Sequence, residues 1–200
     1  MIYHHIGFVR MRRIGLRCFI SVDMEDRLLL DSMIGVQSRL ERTGADLKFV
    51  GRENIHITLR FLGEVREGLV GGLQQLISGM GFEPFRVEFA GLGAFPSLRR
   101  PRVVWVGISD GVEELTEIFR QLEPELVGMG FRPESRGFSP HVTLARVRSG
   151  RNRQRLVDEV TAHVDEAYGG FEVQHIRLKK SVLTPRGPIY STIAESGSRG

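Results

Sequence analysis

The amino-acid sequence predicts an α+β fold built as two pseudo-symmetric lobes of one compact unit, and three observations carry that prediction. The tetrapeptide His56-Ile57-Thr58-Leu59 returns as His141-Val142-Thr143-Leu144, and each copy is followed by a stretch with helical spacing of apolar residues. Strand, helix and strand patterns occur in both halves, as an internal duplication would produce. No Pro-, Gly- or Ser-rich linker separates the halves, so residues 11–194 read as a single two-lobed domain rather than two free ones. At 200 residues and 41% apolar, the chain is long and hydrophobic enough to build that core.

Residues 1–10 read as a disordered extension ahead of Met11, itself a candidate start, and His4 and His5 have no other ligand type beside them. Leu16 to Val22 alternates as a strand that points Arg17 and Phe19 the same way. Asp23 is the expected N-cap of a helix carrying Leu29, Met33, Val36 and Leu40, closed by Gly44. A short strand over residues 47–50 leads to the first His-x-Thr strand, residues 55–61, which Gly63 is expected to end. A second helix follows, with Val65, Leu69, Leu73, Leu76, Ile77 and Met80 on one face. Phe85, Val87 and Phe89 form a strand, residues 91–102 a loop, and residues 103–108 an apolar strand covered on both faces, with Trp105 as a core anchor. A third helix carries Leu115, Ile118, Phe119, Leu122 and Leu126 and ends around Gly128 and Gly130. The loop 131–140 delivers the second His-x-Thr strand. Residues 151–167 read as a fourth helix with Leu156, Val160 and Val164 inside, residues 171–183 and 189–194 as two strands, and residues 195–200 as a frayed tail.

The net charge of +4 is mildly basic and favours a polyanionic ligand without demanding one. A single cysteine, Cys18, excludes an internal disulfide and a Cys metal cluster, and points to a reducing compartment. No apolar run reaches the roughly 18 residues of a membrane span, so a cytoplasmic location is expected.

In a strand, alternate side chains share a face, so His56 and Thr58 point one way while Ile57 and Leu59 point the other, and the second copy divides identically. Two histidines on matching strands can face each other across a cleft as one acid and one base. In-line displacement at phosphorus needs that pair, one group deprotonating the attacking oxygen while the other protonates the leaving oxygen opposite. The two threonine hydroxyls would donate to the non-bridging oxygens, and nearby arginines would add charge-assisted bonds. Metal binding is a weaker reading, because no Asp, Glu or Cys stands at a ligand-like offset from either histidine. No Gly-x-Ser-x-Gly accompanies a triad, and Gly91-Leu92-Gly93 lacks the third glycine of a dinucleotide loop.

The paired H-[IV]-T-L motifs, together with RCFISV, NIHITLRFLGEV, GLGAFP with RPRVVWVG, and PHVTLARV, resemble the RNA 2′,3′-cyclic phosphodiesterases of the two-histidine phosphoesterase superfamily, formerly called 2′-5′ RNA ligases. The resemblance runs from about Leu16 to Ala194. It implies a bilobal fold with two antiparallel sheets lining a central cleft and helices outside, and hydrolysis of a terminal 2′,3′-cyclic phosphate of RNA to a 2′-phosphate without a metal or other cofactor. It also implies His56 as proton donor and His141 as proton acceptor, with Thr58 and Thr143 holding the phosphate; spacing alone assigns neither histidine its role. Arg146 matches a family position near the phosphate and base, although alternation from His141 puts it on the wrong face unless a bulge intervenes. Arg60 lies on the catalytic face by alternation. Phe19, Ser181 and Tyr190 are the remaining candidate cleft residues. The expected partner is an RNA with a cyclic phosphate end, tRNA halves included, acted on by a monomer. Two other readings use the same chain: 2′-5′ ligation of RNA halves by the reverse reaction, and non-catalytic RNA-end binding by Arg99, Arg100, Arg102, Arg148, Arg151 and Arg153.

Overall fold

The structure is a computed structural model and describes residues 15–185 and 187–197. The candidate disordered extension and the last three residues of the tail lie outside the described residues. Strand β1 (Leu16–Asp23) leads into helix α1 (Arg27–Arg42), then β2 (Leu47–Phe49), a single 3-10 turn (Arg52–Asn54), β3 (His56–Val65) and α2 (Glu67–Gly79). The second half runs β4 (Phe85–Phe95), β5 (Val103–Asp110), α3 (Val112–Gly128), β6 (His141–Val147), α4 (Arg153–Ala162) and β7 (Ala167–Val173). The chain then returns to the first lobe as the hairpin β8 (Arg177–Thr184) and β9 (Gly187–Glu195).

Eight strands follow one antiparallel path, β7-β4-β5-β6-β3-β1-β8-β9, with β2 added beside β6. The two lobes are its two halves. They meet at β3 and β6, where Ile57 and Val142 form the one pair of Cα partners among the described residues, so two sheets are joined along a seam and curl around a cleft. Helices cover the outer face. Leu29, Met33, Val36 and Leu40 on α1 and Leu115, Ile118, Leu122 and Leu126 on α3 are buried against the apolar faces of the strands, each such side chain worth roughly 1.5–3 kcal/mol. Helix α1 lies against β6 and β7 of the second lobe, and α3 against β3 of the first as well as its own β5, so the lobes exchange helices. Among the described residues no helix is long and apolar enough to cross a membrane.

Several boundaries differ from the sequence expectation. The N-cap of α1 is Asp26, whose carboxylate accepts from Leu29 N at 2.8 Å, while Asp23 closes β1 and turns into the cleft. Gly63 does not end β3. It adopts φ +69°, which a glycine takes without strain, and the resulting bulge lets the strand run on to Val65. Residues 92–95 extend β4 past a bulge at Gly91 instead of opening a loop, because they pair with Val103 to Val106. Strand β5 is covered on one face only: Val104 and Val106 are buried, and Trp105 looks into the cleft. Helix α4 stops at Ala162, leaving Val164 exposed, and residues 174–176 break the expected 171–183 strand where the chain crosses between lobes. Ser196, expected in the tail, is buried, its Oγ accepting from Ile176 N.

Candidate active site

Ile57 and Val142 are fully buried beneath the seam, so the residues flanking them in each strand point the opposite way. His56, Thr58, His141 and Thr143 therefore line the cleft together, all half-buried. Each histidine opens its strand and is fastened the same way. His56 Nδ1 lies 2.7 Å from the Asn54 carbonyl oxygen, and His141 Nδ1 lies 2.7 Å from the Ser139 carbonyl oxygen. A carbonyl only accepts, so in both rings Nδ1 carries the hydrogen and Nε2 is the nitrogen left to exchange protons. In the neutral ring His56 Nε2 accepts from the Thr58 hydroxyl at 2.9 Å.

Aromatic rings fix both imidazoles. His56 lies 5.0 Å from the Phe19 ring and edge-on to Tyr190 at 5.6 Å, and His141 stands edge-on to Phe95 at 4.9 Å with Trp105 at 6.1 Å. Trp105 rests on Gly93, where a Cβ would collide with the indole. Burial among these rings pushes both imidazoles below their ordinary pKa, against the pull of their carbonyl partners. His56 also feels a nearby carboxylate: Asp23, its Cα partner across β1 and β3, raises its affinity for a proton, while Lys179 and His141 lower it. Burial pushes the Asp23 carboxyl up, but bonds from Lys179 Nζ at 2.5 Å, Ser21 Oγ at 2.9 Å and Arg177 Nη1 at 3.1 Å more than offset this and hold it ionised. Asp23, Asn54, His56, Lys179 and Tyr190 border a cavity of about 170 Å³. Among the described residues no carboxylate acts on His141 in this way.

The strands bulge at the same place in both copies. Ser21 and Ile20 pair with Thr58 and Arg60, skipping Leu59, and Trp105 and Val104 pair with Thr143 and Ala145, skipping Leu144. In each copy two consecutive residues are therefore buried, Leu59-Arg60 and Leu144-Ala145, and the alternation resumes shifted by one. The bulged carbonyl of Leu144 is satisfied by Gln37 Nε2 at 3.0 Å and Val50 N at 2.9 Å.

This shift decides two expected residues in opposite directions. Arg146 comes onto the cleft face, exposed between Lys48 of β2 and Val103 of β5, and its charge reaches Tyr190. Arg60 leaves the cleft face. It is 8% exposed on the helix side, with Nε 2.8 Å from Glu123 on α3 and Nη2 donating to the Arg132 carbonyl, so it is not a substrate contact. Phe61 takes the cleft position instead.

Phe19 is 4% exposed, so it backs His56 and Tyr190 rather than offering a face of its own. Ser181 and Tyr190 are cross-strand partners on the cleft side, beside Arg17. Burial raises the Tyr190 phenol, and Arg146 and Arg17 oppose that rise, so it stays a neutral donor. Among the described residues no group of three or more His, Cys, Asp or Glu could hold a metal ion. Sequence reasoning missed Asp23, Trp105 and Phe61 as cleft residues. Asp23 carried a usable signal, since it ends the strand beside the motif, but its expected service as N-cap of the following helix offered a competing explanation.

The family model described as LigT like phosphoesterase matches the chain twice, over residues 30–105 and 106–190. A protein of Aeropyrum pernix named RNA 2′,3′-cyclic phosphodiesterase is 47% identical over 167 residues, covering 82% of this chain and 95% of its own length. One of Methanothermobacter thermautotrophicus with the same name is 39% identical over 177 residues, covering 88% and 95%. Among solved structures, E. coli LigT complexed with 3′-AMP superposes with a TM-score of 0.77 at 23% identity, over 93% of this chain and 99% of that one, a likeness of fold.

Proposed function

The chain belongs to the LigT-like phosphoesterase family, and on that premise we infer that it is an RNA 2′,3′-cyclic phosphodiesterase that opens the terminal cyclic phosphate to a 2′-phosphomonoester. The observation that carries the mechanism is the pair of imidazoles in one cleft, each with Nδ1 committed to a backbone carbonyl and Nε2 free to move a proton.

The cyclic phosphate sits between the two Nε2 atoms. His141 Nε2 removes a proton from a water, whose oxygen attacks phosphorus in line with the bond to O3′. As that bond breaks, His56 Nε2 delivers its proton to O3′, and the 2′-ester bond remains. The pair resets by passing one proton from His141 to solvent and taking one up on His56. The leaving oxygen takes the place of Thr58 at His56 Nε2, which frees the Thr58 hydroxyl to join Thr143 in donating to the non-bridging oxygens, where charge concentrates. Asp23 supports the assignment of His56 as donor: a carboxylate beside one imidazole and none beside the other favours the proton on His56 before reaction. Arg146, Ser181 and Tyr190 hold the phosphate and the nucleotide beyond it.

The two histidines and their hydroxyls supply every proton transfer and charge contact the reaction needs, so the reaction runs without a metal. One chain supplies both halves of the pair, so the protein acts as a monomer, and its one buried cysteine suits the cytoplasm. Halves of cleaved tRNA bearing the cyclic end are among its substrates. The test is a defined RNA with a 2′,3′-cyclic end incubated in excess EDTA, with the product identified by its phosphate position. A 2′-phosphate is expected; a 3′-phosphate, or complete loss of turnover in EDTA, overturns the reading.

A further inference from the structure

We propose that Phe61 is a stacking platform for a nucleobase of the RNA end, at the mouth of the cleft opposite the one Arg146 occupies. The proposal rests on the phosphodiesterase reading, and it begins from an anomaly of burial. Phe61 is 66% exposed, while Leu59, Arg60 and Leu62 around it are 9% exposed or less. The bulge at Leu59 puts it there. Without that extra residue Phe61 would point inward with Leu59, toward the helices, and Arg60 would face the cleft. The register shift at Leu59 thus turns an aromatic ring toward solvent and an arginine away from it, and a second shift at Leu62 lets the strand continue beyond the ring.

The ring is not isolated. Phe19 is its cross-strand partner, with ring centroids 6.4 Å apart, and Phe19 in turn lies 5.0 Å from His56 and 4.8 Å from Tyr190. A continuous aromatic run therefore leads from the proton-transferring imidazole outward to Phe61, and only its outer member has an open face. Arg17 lies two residues before Phe19 in β1, on the same face and exposed, so a backbone phosphate entering along this run meets a cation.

The lobes' pseudo-symmetry gives a second, independent reason. The identical bulge in β6 turns Arg146 into the cleft at the same offset from His141 that Phe61 has from His56. Because β3 and β6 are antiparallel, the two residues face opposite exits. One exit therefore offers a guanidinium, which recognises phosphate oxygens or base edges, and the other an apolar ring. A ring suits the π-face of a base, and every base has one, so the contact is strong without being sequence-selective. The ligand is thus a nucleobase of a single-stranded RNA end, either the base of the cyclic nucleotide itself or its 5′ neighbour.

Three trinucleotides ending in a 2′,3′-cyclic phosphate separate these sources: one intact, one lacking the terminal base, and one lacking the penultimate base. On the intact RNA, Phe61→Ala should lower kcat/KM on the order of 5- to 150-fold, the range for loss of one base–aromatic stack. Phe61→Trp should retain or improve it, and Phe61→Leu should behave like the alanine variant. On whichever RNA lacks the stacked base, wild type and Phe61→Ala should become equal. Equal losses on all three RNAs would mean that Phe61 only shapes the strand, and no loss on any would mean that it touches nothing; either result overturns the proposal. Anisotropy titrations of the same RNAs with 2′-phosphate ends, which do not turn over, repeat the comparison for binding alone. An inactive wild type whose affinity still depends on Phe61 and on one base would sink the phosphodiesterase reading and leave the platform standing.

Discussion

The buried Arg60–Glu123 pair offers a sharp test of how the second histidine is held. Arg60 comes from β3 in the first lobe, and Glu123 from α3 in the second half of the chain. Their side chains are 9% and 19% exposed, so solvent screens them weakly. Arg60 Nη2 also donates to the Arg132 carbonyl, and Glu123 Oε1 accepts from Glu134 N at 2.6 Å. These bonds clamp the start of the segment 131–140, whose far end supplies the Ser139 carbonyl that orients His141. Replacing Arg60 by Met removes one member of a buried pair and strands Glu123 and the Arg132 carbonyl, which costs about 3–5 kcal/mol. In a chain of this size that lowers Tm by roughly 6–20 °C. Adding Glu123→Leu removes the stranded charge and should recover most of the stability, because a well-packed apolar pair is close to neutral relative to a buried ion pair. It should not recover turnover, since Arg132 and Glu134 stay unclamped: kcat is expected to remain on the order of ten- to a hundredfold down, as for a misplaced catalytic group. Thermal melts and kcat on a cyclic-ended RNA, measured for both variants, make the test. Full kcat in the double variant, or a single variant as stable as the wild type, would refute the clamp.

Other perturbations probe the proton pair itself. Replacing either His56 or His141 by Asn should cost about 10²–10⁴ in kcat, as expected for a general acid or base, with folding confirmed by circular dichroism. Burial depresses both imidazoles, so the bell of kcat/KM against pH, which belongs to the pair as a whole, should centre below the ordinary imidazole value of about 6.5; a centre above pH 7 would contradict the burial argument. The same shift affects stability. As pH falls through about 6.5 the unfolded chain takes up protons before the folded one does, so stability declines there and levels off below the folded pKa values, a slope that a His56→Gln, His141→Gln double variant should flatten. Asp23→Asn removes the carboxylate that favours protonated His56, and should move one limb of the bell to lower pH while leaving the other in place.

Much of the site was legible because its chemistry repeats. The duplicated His-x-Thr pattern singles out two histidines and two threonines, and period-two alternation puts them on the one face where the structure has them. The same rule failed at Arg60, because a bulge adds a residue that pairs with nothing and no side chain in Leu59-Arg60-Phe61 advertises it. Arg146 carries the same conflict in the second copy, where its family position and strict alternation disagree, and the repeat extends that conflict to Arg60 and Phe61 in the first. The strand boundaries at Gly63 and Gly91 were misread for a related reason. A glycine in a left-handed conformation ends a strand in one context and bends it in another, and the partner strand, distant in sequence, decides which. Asp23 shows the limit of local signals: a capping residue and a strand-end carboxylate look alike until the register with β3 is known.

The twin bulges also bear on direction. A pocket with perfect twofold symmetry would receive its substrate in either of two equivalent orientations and could not tell an attacking oxygen from a departing one. Here the halves agree in how they present an imidazole and a hydroxyl to the cleft and differ further out: guanidinium against phenyl ring, alanine against a clamped arginine beneath them, and, among the described residues, a carboxylate beside one imidazole and none beside the other. Polarity in such an enzyme is set by the rims of a symmetric centre, so the residues that differ between the copies are the places to look for how a strand with a distinct beginning and end is read only one way round.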